Sequence, residues 1–213
     1  MSAVVTPPPV GVRSLAPPPL PPHDLFDRVR RFTRDEYYRM RDAGILHDGD
    51  PVELLDGLIL EKPMKGEPHE AAVARLTVRL TRRLPDGWTF RVGSVASTGG
   101  SEPEPDYMVL RGDETAYDDH FPTADEFGIL VEVSATSLAT DRRDKGRIYA
   151  AAGIQVYWIV NVVNRQVEVY TDPDPAADPP RYLTTVVYTP GQDVPIVLDG
   201  VTVGGIPAAD LLP

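Results

Sequence analysis

Two carboxylates stand at positions where the surrounding sequence is otherwise apolar. Asp106 opens the apolar stretch of residues 107–110. Glu132 interrupts the run of residues 128–133, and runs of this kind are typical of strands that are buried on both faces. Burying a carboxylate costs free energy unless the group is paired, hydrogen-bonded or bound to a cation. Both positions are therefore candidates for a functional site.

A lysine lies on the apolar face of a helix that the sequence predicts over residues 141–152. Lys145 is followed at three, four and seven residues by Ile148, Tyr149 and Ala152, which is the spacing of one helix face. This face should pack on the sheet. The ammonium group of Lys145 can then reach a carboxylate at the end of the preceding strand.

Two strand carboxylates and one lysine are the groups that metal-assisted hydrolysis of a phosphodiester requires. Asp106 and Glu132 would bind Mg²⁺ (or Mn²⁺) through oxygen ligands, and the metal would polarise the phosphoryl oxygen and help to generate hydroxide. Lys145 would orient the attacking water or stabilise the charge of the transition state. The same residues also fit a structural interpretation, in which a buried Glu132–Lys145 pair only fixes the helix on the sheet.

The elements that position these residues follow from capping, turn and periodicity signals. Thr33 and Glu36 have the spacing of a capping box at the start of a short helix. Residues 52–61 predict two short strands that turn at Asp56-Gly57, and residues 68–84 form the best amphipathic helix. Further strands are predicted at residues 88–92, 106–110, 129–133, 156–162, 166–170, 183–188 and 194–198, with a loop over residues 172–180.

This order of helices and strands predicts an α/β (α+β) fold with a central mixed sheet flanked by helices and with extra strands at its N- and C-terminal ends. We expect one domain over residues 30–213. Residues 1–29 are expected to be a disordered tail, because residues 1–22 contain eight prolines and a single charged residue, Arg13.

The composition narrows the function classes. The chain has no cysteine, which excludes a disulfide scaffold, a cysteine-ligated zinc site and a thiol nucleophile. We expect a cytoplasmic protein, since neither a membrane-spanning apolar run nor a secretion signal is visible. A formal net charge of −11 counts against a nonspecific DNA binder, but less against an enzyme that uses bound metals or a local basic patch.

Several short motifs in this chain resemble the Uma-type restriction endonuclease family, which belongs to the PD-(D/E)XK nuclease superfamily. The resemblance rests on Glu104-Pro105-Asp106, Val131-Glu132-Val133-Ser134, Asp141-Arg142-Arg143-Asp144-Lys145 and Tyr157-Trp158-Ile159-Val160, with Glu53-Leu54-Leu55-Asp56-Gly57 upstream. It implies a restriction-endonuclease-like fold in which Asp106 and Glu132 are the metal ligands. The superfamily lysine position holds Ser134 here, and the resemblance implies that Lys145 of the following helix takes its place.

Three further residues are auxiliary candidates for the site. Glu70 could be the additional acid that many superfamily members carry on this helix, or simply a favourable charge in a first helical turn. His69 could belong to the site or be an exposed residue at the start of a helix. Glu53 could be functional or could reflect ordinary strand polarity.

Three functions are compatible with these residues. The first is a Mg²⁺- or Mn²⁺-dependent endonuclease that cuts DNA. The second is a nuclease-like fold without catalysis that acts as a binding or assembly module, for example as a homodimer. The third is a hydrolase that uses the same carboxylates on a small phosphoester or glycoside.

Overall fold

Ten strands are present in the computed structural model, which describes residues 28–47 and 49–213. They are β1 (Val52–Leu55), β2 (Leu58–Glu61), β3 (Trp88–Val92), β4 (Tyr107–Arg111), β5 (Phe127–Ser134), β6 (Val156–Asn161), β7 (Gln166–Asp174), β8 (Arg181–Tyr188), β9 (Asp193–Leu198) and β10 (Val201–Pro207). The predicted tail of residues 1–29 lies outside the described residues, except for its last two positions.

The α-helices of the described chain are short, apart from one. They are α1 (Arg34–Asp42), α2 (Glu67–Thr81), α3 (Leu138–Thr140), α4 (Gly146–Ala151) and α5 (Ala208–Leu211). A π-helical segment, Asp141–Lys145, joins α3 to α4, and a 3-10 turn, Ala124–Glu126, precedes β5. None of the helices in the described ranges has both the length and the apolar character that a bilayer crossing needs.

A six-stranded mixed sheet organises the fold, in the order β3-β4-β5-β6-β7-β8. Strands β5 and β6 are parallel, and every other neighbouring pair is antiparallel. A parallel pair needs a crossover, which the helical segments of residues 138–151 provide. Strands β1 and β2 form one separate hairpin, and β9 and β10 form another. The predicted central mixed sheet with flanking helices and additional strands is confirmed.

The two faces of the sheet are covered by different elements. Side chains of α2, α5 and the β9–β10 hairpin pack with one face in one buried apolar cluster. Helix α4 contributes Ile148 and Tyr149 to a second cluster on the opposite face, where Met108 of β4 and Leu130 of β5 lie. Successive strand residues alternate between the two faces. Glu132 therefore shares the face of Leu130, beneath α4.

Local sequence signals set several boundaries. Thr33 and Glu36 form a complete capping box at the start of α1. Asp56 and Gly57 both have positive φ, 49° and 76°, as a two-residue turn between antiparallel strands requires. Glycine is needed at position 57 for a second reason, because a Cβ there would lie 2.7 Å from the Cβ of Arg31.

Some predicted boundaries are wrong. Helix α2 ends at Thr81 rather than at residue 84, because the chain tightens there: the amides of Arg83 and Leu84 donate to carbonyls three residues earlier. Strand β7 runs to Asp174 through part of the predicted loop, since its ladder with β8 continues to that residue. Strand β10 was not predicted, because Gly204 and Gly205 conceal its pattern. Helix α5 was too short to give a signal.

Candidate active site

Strands β4 and β5 bring the two predicted carboxylates together. Tyr107 pairs with Val131 in this antiparallel ladder. Extending the register by one residue places Asp106 opposite Glu132, and residues that lie opposite each other in a ladder point to the same face. Both side chains are buried.

Three groups hold Asp106. Its Oδ2 accepts a hydrogen bond from the backbone amide of Val133 at 2.8 Å and lies 3.0 Å from Nε2 of His69. Its Oδ1 accepts a hydrogen bond from Nζ of Lys65 at 2.9 Å. Burial alone would raise the pKa of Asp106, but the hydrogen bond from His69 and the charge of Lys65 outweigh it, and the pKa lies below its usual value.

Glu132 is held by the helix that covers it. Lys145 Nζ and Tyr149 Oη donate to the same oxygen, Oε1, at 3.0 and 2.8 Å. Burial raises the pKa of Glu132 well above its usual value, and the charge of Lys145 offsets only part of this effect because other acids lie nearby.

Lys145 bridges two carboxylates from different parts of the chain. Its side chain is only 7% exposed, and Nζ lies 3.1 Å from Oε2 of Glu53 as well as 3.0 Å from Glu132. Burial alone would lower the pKa of Lys145, but the surrounding acids raise it, so the group stays an ammonium ion. Glu53 belongs to β1 and also accepts a hydrogen bond from the amide of Glu104 at 3.2 Å. The β1–β2 hairpin thus contributes to the site.

The helical crossover is anchored to the end of β5 by a third acid. Ser134 and Ser137 each donate to Oδ2 of Asp141 at 2.6 Å. The amide of Gly146 donates to the carbonyl of Asp141, five residues earlier, which is the hydrogen bond of a π turn. Ser134 therefore helps to fix the helix that carries Lys145.

Of the other two auxiliary candidates, His69 lies in the site and Glu70 lies outside it. His69 is buried and contacts Asp106, so its interpretation as an exposed residue at a helix start is wrong. The side chain of Glu70 is 62% exposed, and its Oε1 lies 3.5 Å from Nδ1 of His69. Glu70 thus touches the site through His69 rather than lying in it.

Two contacting residues were missed by the sequence reasoning. Tyr149 could have been found, because it follows Lys145 by four residues on the same helix face. Lys65 gave no signal, since it lies between β2 and α2, in a segment without periodicity. Its contact with Asp106 depends on the tertiary fold.

The donor set limits the kind of metal that could bind. In the described ranges, no group of three or more His, Asp or Glu side chains is arranged to hold an ion. Asp106 and Glu132 supply two neighbouring carboxylates. Mg²⁺ is commonly bound in this way, through one or two carboxylates with water and substrate phosphate as the other ligands. The two side chains fit a metal of that class.

Comparisons with known proteins concern the family and the fold of the chain. The family model Uma2, described as "Putative restriction endonuclease", matches residues 34–204. Among solved structures, a "putative nuclease belonging to DUF820" from Anabaena variabilis ATCC 29413 matches with a TM-score of 0.58 and 19% sequence identity. The match covers 84% of this chain and 97% of that one, and at this identity it shows a shared fold. No curated protein matches the chain.

Proposed function

The chain belongs to the Uma2 family of restriction-endonuclease-like proteins, and from this premise we propose that it is a metal-dependent endonuclease that hydrolyses phosphodiester bonds in DNA. In this proposal Asp106 and Glu132 hold Mg²⁺ or Mn²⁺, and Lys145 assists the attacking water. Glu53 and His69 position Lys145 and Asp106, respectively.

A surplus of buried acidic side chains over buried basic ones carries the proposal. Glu53, Asp106, Glu132 and Asp141 are all buried, whereas Lys145 is the only buried lysine or arginine within the described chain. Buried carboxylates are costly unless a cation or hydrogen bonds compensate them. A divalent cation between Asp106 and Glu132 would favour the charged forms of both carboxyl groups.

The chain's own side chains have distinct tasks in this reaction. When bound, the metal would polarise a phosphoryl oxygen and lower the pKa of a water molecule. Lys145 is an ammonium ion and has no acceptor lone pair, so it can donate to a water or phosphate oxygen but cannot remove a proton. Glu53 and Tyr149 restrict the movement of this ammonium and of Glu132. Lys65 is 44% exposed and can leave Asp106 when a cation or substrate arrives.

A metal titration tests the proposal without a choice of substrate. Calorimetric titration with Mn²⁺ should show saturable binding to the wild type and none to Asp106→Asn, which keeps a similar shape but loses the charge. Asp193→Asn, at an exposed acid of β9, is the matched control and should bind Mn²⁺ like the wild type. The titration is repeated with DNA present, because a substrate phosphate can complete a two-carboxylate site. No binding under either condition would contradict the proposal.

Cleavage assays then separate the enzyme from a nuclease-like module without catalysis. Supercoiled plasmid should be nicked in Mg²⁺ or Mn²⁺ by the wild type and by Asp193→Asn, and by neither Asp106→Asn nor Glu132→Gln. One observation favours the module. The oxygens of Asp106 and Glu132 already accept hydrogen bonds from Lys65, Lys145 and other groups of the protein. Folded protein without metal-dependent cleavage would support that alternative.

A further inference from the structure

A surface groove lies beside the candidate site and contains three arginines. It has a volume of about 760 Å³ and is bordered by the start of α1, the turn between β1 and β2, residues 98–101 and helix α4. Arg31, Arg34 and Arg147 line it. This concentration of positive charge stands out in a chain whose formal net charge is −11.

Within residues 28–47 and 49–213, the three arginines outnumber the carboxylates that they contact. Arg147 forms an ion pair with the carboxylate of Asp56, and Arg31 donates to the backbone carbonyl of Asp56 at 2.5 Å. Arg34 lies 2.8 Å from Glu102, whose side chain is fully buried, while the side chain of Arg34 is 42% exposed. Among the residues that the structure describes, three guanidinium groups thus contact two carboxylates. The groove keeps a positive surplus, and parts of all three cations face solvent.

The loop on the other side of the groove presents backbone donors. Thr98 and Ser101 close a turn, in which the amide of Thr98 donates to the carbonyl of Ser101 at 3.1 Å. Gly99 and Gly100, between them, are exposed and have no side chains that would keep a ligand away from the backbone. Within the described part of the chain, the amides of Gly99 and Gly100 donate no hydrogen bond to a backbone carbonyl. Amides of this kind bind anions.

Chain connectivity places the groove close to the proposed reaction centre. Arg147 follows Lys145 by two residues, which limits their Cα atoms to about 7 Å, and Asp56 follows Glu53 by three residues, or about 11 Å at most. Phosphates of one DNA strand are spaced about 3.4 Å apart along the duplex axis. The groove can therefore meet phosphates a few nucleotides away from the one that is cut.

We propose that this groove binds the phosphodiester backbone of the nucleic acid beside the scissile phosphate. The position beside a phosphate that is cut rests on the proposed function, but binding of DNA to the groove can be measured without cleavage. Arginine side chains and backbone amides are the usual donors to phosphate oxygens, and such contacts fix register without reading sequence. The groove would supply the local basic patch that a DNA-cutting enzyme with an acidic surface needs.

Substitutions at Gly100 test the charge of the groove with little structural cost. A Cβ at this position meets no atom within 4 Å, and the backbone does not have a positive φ. Gly100→Ala should bind DNA like the wild type, Gly100→Glu should bind about tenfold more weakly, and Gly100→Lys should bind more tightly. The measurement is fluorescence anisotropy of a labelled DNA duplex in EDTA, so that no metal-dependent cleavage occurs.

Arg147→Gln provides the second test, with Arg181→Gln on β8, outside the groove, as the matched control. Asp56 is 40% exposed, so water can solvate it after Arg147 is lost, and thermal unfolding checks that the fold persists. Loss of one phosphate contact should reduce the magnitude of the slope of log affinity against log salt concentration by about 1. Arg181→Gln should leave that slope unchanged.

The outcomes for the groove and for the nuclease are separable. Equal DNA affinities of the wild type, Gly100→Glu and Arg147→Gln would overturn the proposal that the groove binds DNA, even if cleavage that depends on Asp106 is found. Equal weakening by Arg147→Gln and Arg181→Gln would also overturn it, since charge alone would then explain the effect. Binding that depends on the groove without any metal-dependent cleavage would keep the groove and reject the nuclease.

Discussion

Replacing Lys145 by methionine should destabilise the protein strongly and make it more responsive to metal. The substitution keeps the length of the side chain but removes the ammonium that lies 3.1 Å from Glu53 and 3.0 Å from Glu132. Both carboxylates have side chains at most 6% exposed, so water cannot replace the lost partner.

The magnitude follows from the burial of the pair. Breaking a buried ion pair by removing one partner costs about 3–5 kcal/mol, because it leaves an uncompensated charge. For a protein of this size we expect the melting temperature to fall by roughly 6–20 °C, at about 2–4 °C per kcal/mol. The free energy of unfolding is measured by urea denaturation in EDTA, with circular dichroism as the signal.

Lys65→Met is the matched control for this prediction. Lys65 makes an ion pair of similar length, 2.9 Å with Asp106, but its side chain is 44% exposed and Asp106 keeps its contacts with His69 and Val133. Its loss should therefore cost only about 1 kcal/mol, as partly exposed pairs do.

Mn²⁺ distinguishes a metal site from a purely structural pair. If Asp106 and Glu132 bind the ion, removing the competing charge of Lys145 should raise its affinity. At a hundredfold excess over the dissociation constant, Mn²⁺ would then restore about 2.7 kcal/mol to Lys145→Met. A loss of stability below about 1 kcal/mol in EDTA would refute the argument from burial. A full loss without rescue by Mn²⁺, either in the absence or in the presence of DNA, would leave the pair structural and refute the metal site.

Two further predictions concern the rest of the fold. Burial would raise the pKa of Glu168, but hydrogen bonds from four side chains lower the pKa from 4.5 to about 2. The ionised Glu168 therefore stabilises the folded protein above about pH 4.5, and this stabilisation is lost as the pH falls toward 2. Glu168→Gln should lower the free energy of unfolding by at most about 3 kcal/mol at neutral pH. Its urea midpoint should also fall less steeply than that of the wild type as the pH decreases from about 4.5 toward 2. An equally steep fall would contradict this prediction. Gly128→Ala should cost about 1–3 kcal/mol, because its Cβ would meet the ring of Trp88 and lie 2.8 Å from Cδ2 of Leu198. Gly100→Ala, in open space, is the control for thermal unfolding, and equal melting temperatures would refute the packing argument.

Local patterns were sufficient to predict most of the fold. The capping box at Thr33, the turn at Asp56-Gly57 and the apolar strands all rest on interactions between near neighbours, and the structure has each of them. The C-terminal part was harder to predict, because β10 is stabilised by its ladder with β9 rather than by its own residues. Propensity cannot reveal such a strand.

The residues of the candidate site also differ in whether the sequence alone could identify them. Asp106, Glu132 and Lys145 could be selected from the sequence because each is an ionisable residue in an apolar pattern. The contacts of Lys65 and Glu53 could not be derived, since these residues approach the sheet from outside it and only the tertiary fold sets their distances. Their neighbours in sequence give no sign of which acid or lysine they will meet.

The π-helical segment gives the crossover one residue more than an ordinary helical turn would contain. Asp141 and Lys145, at its two ends, are both buried. Deleting the exposed Arg143 would restore an ordinary helix, and one residue corresponds to about 100° of rotation around its axis. Asp141 and the lysine would then be three residues apart, a spacing that still places both side chains on one helix face. The shortened crossover would therefore still bury both side chains, with altered distances to Ser134 and Glu132.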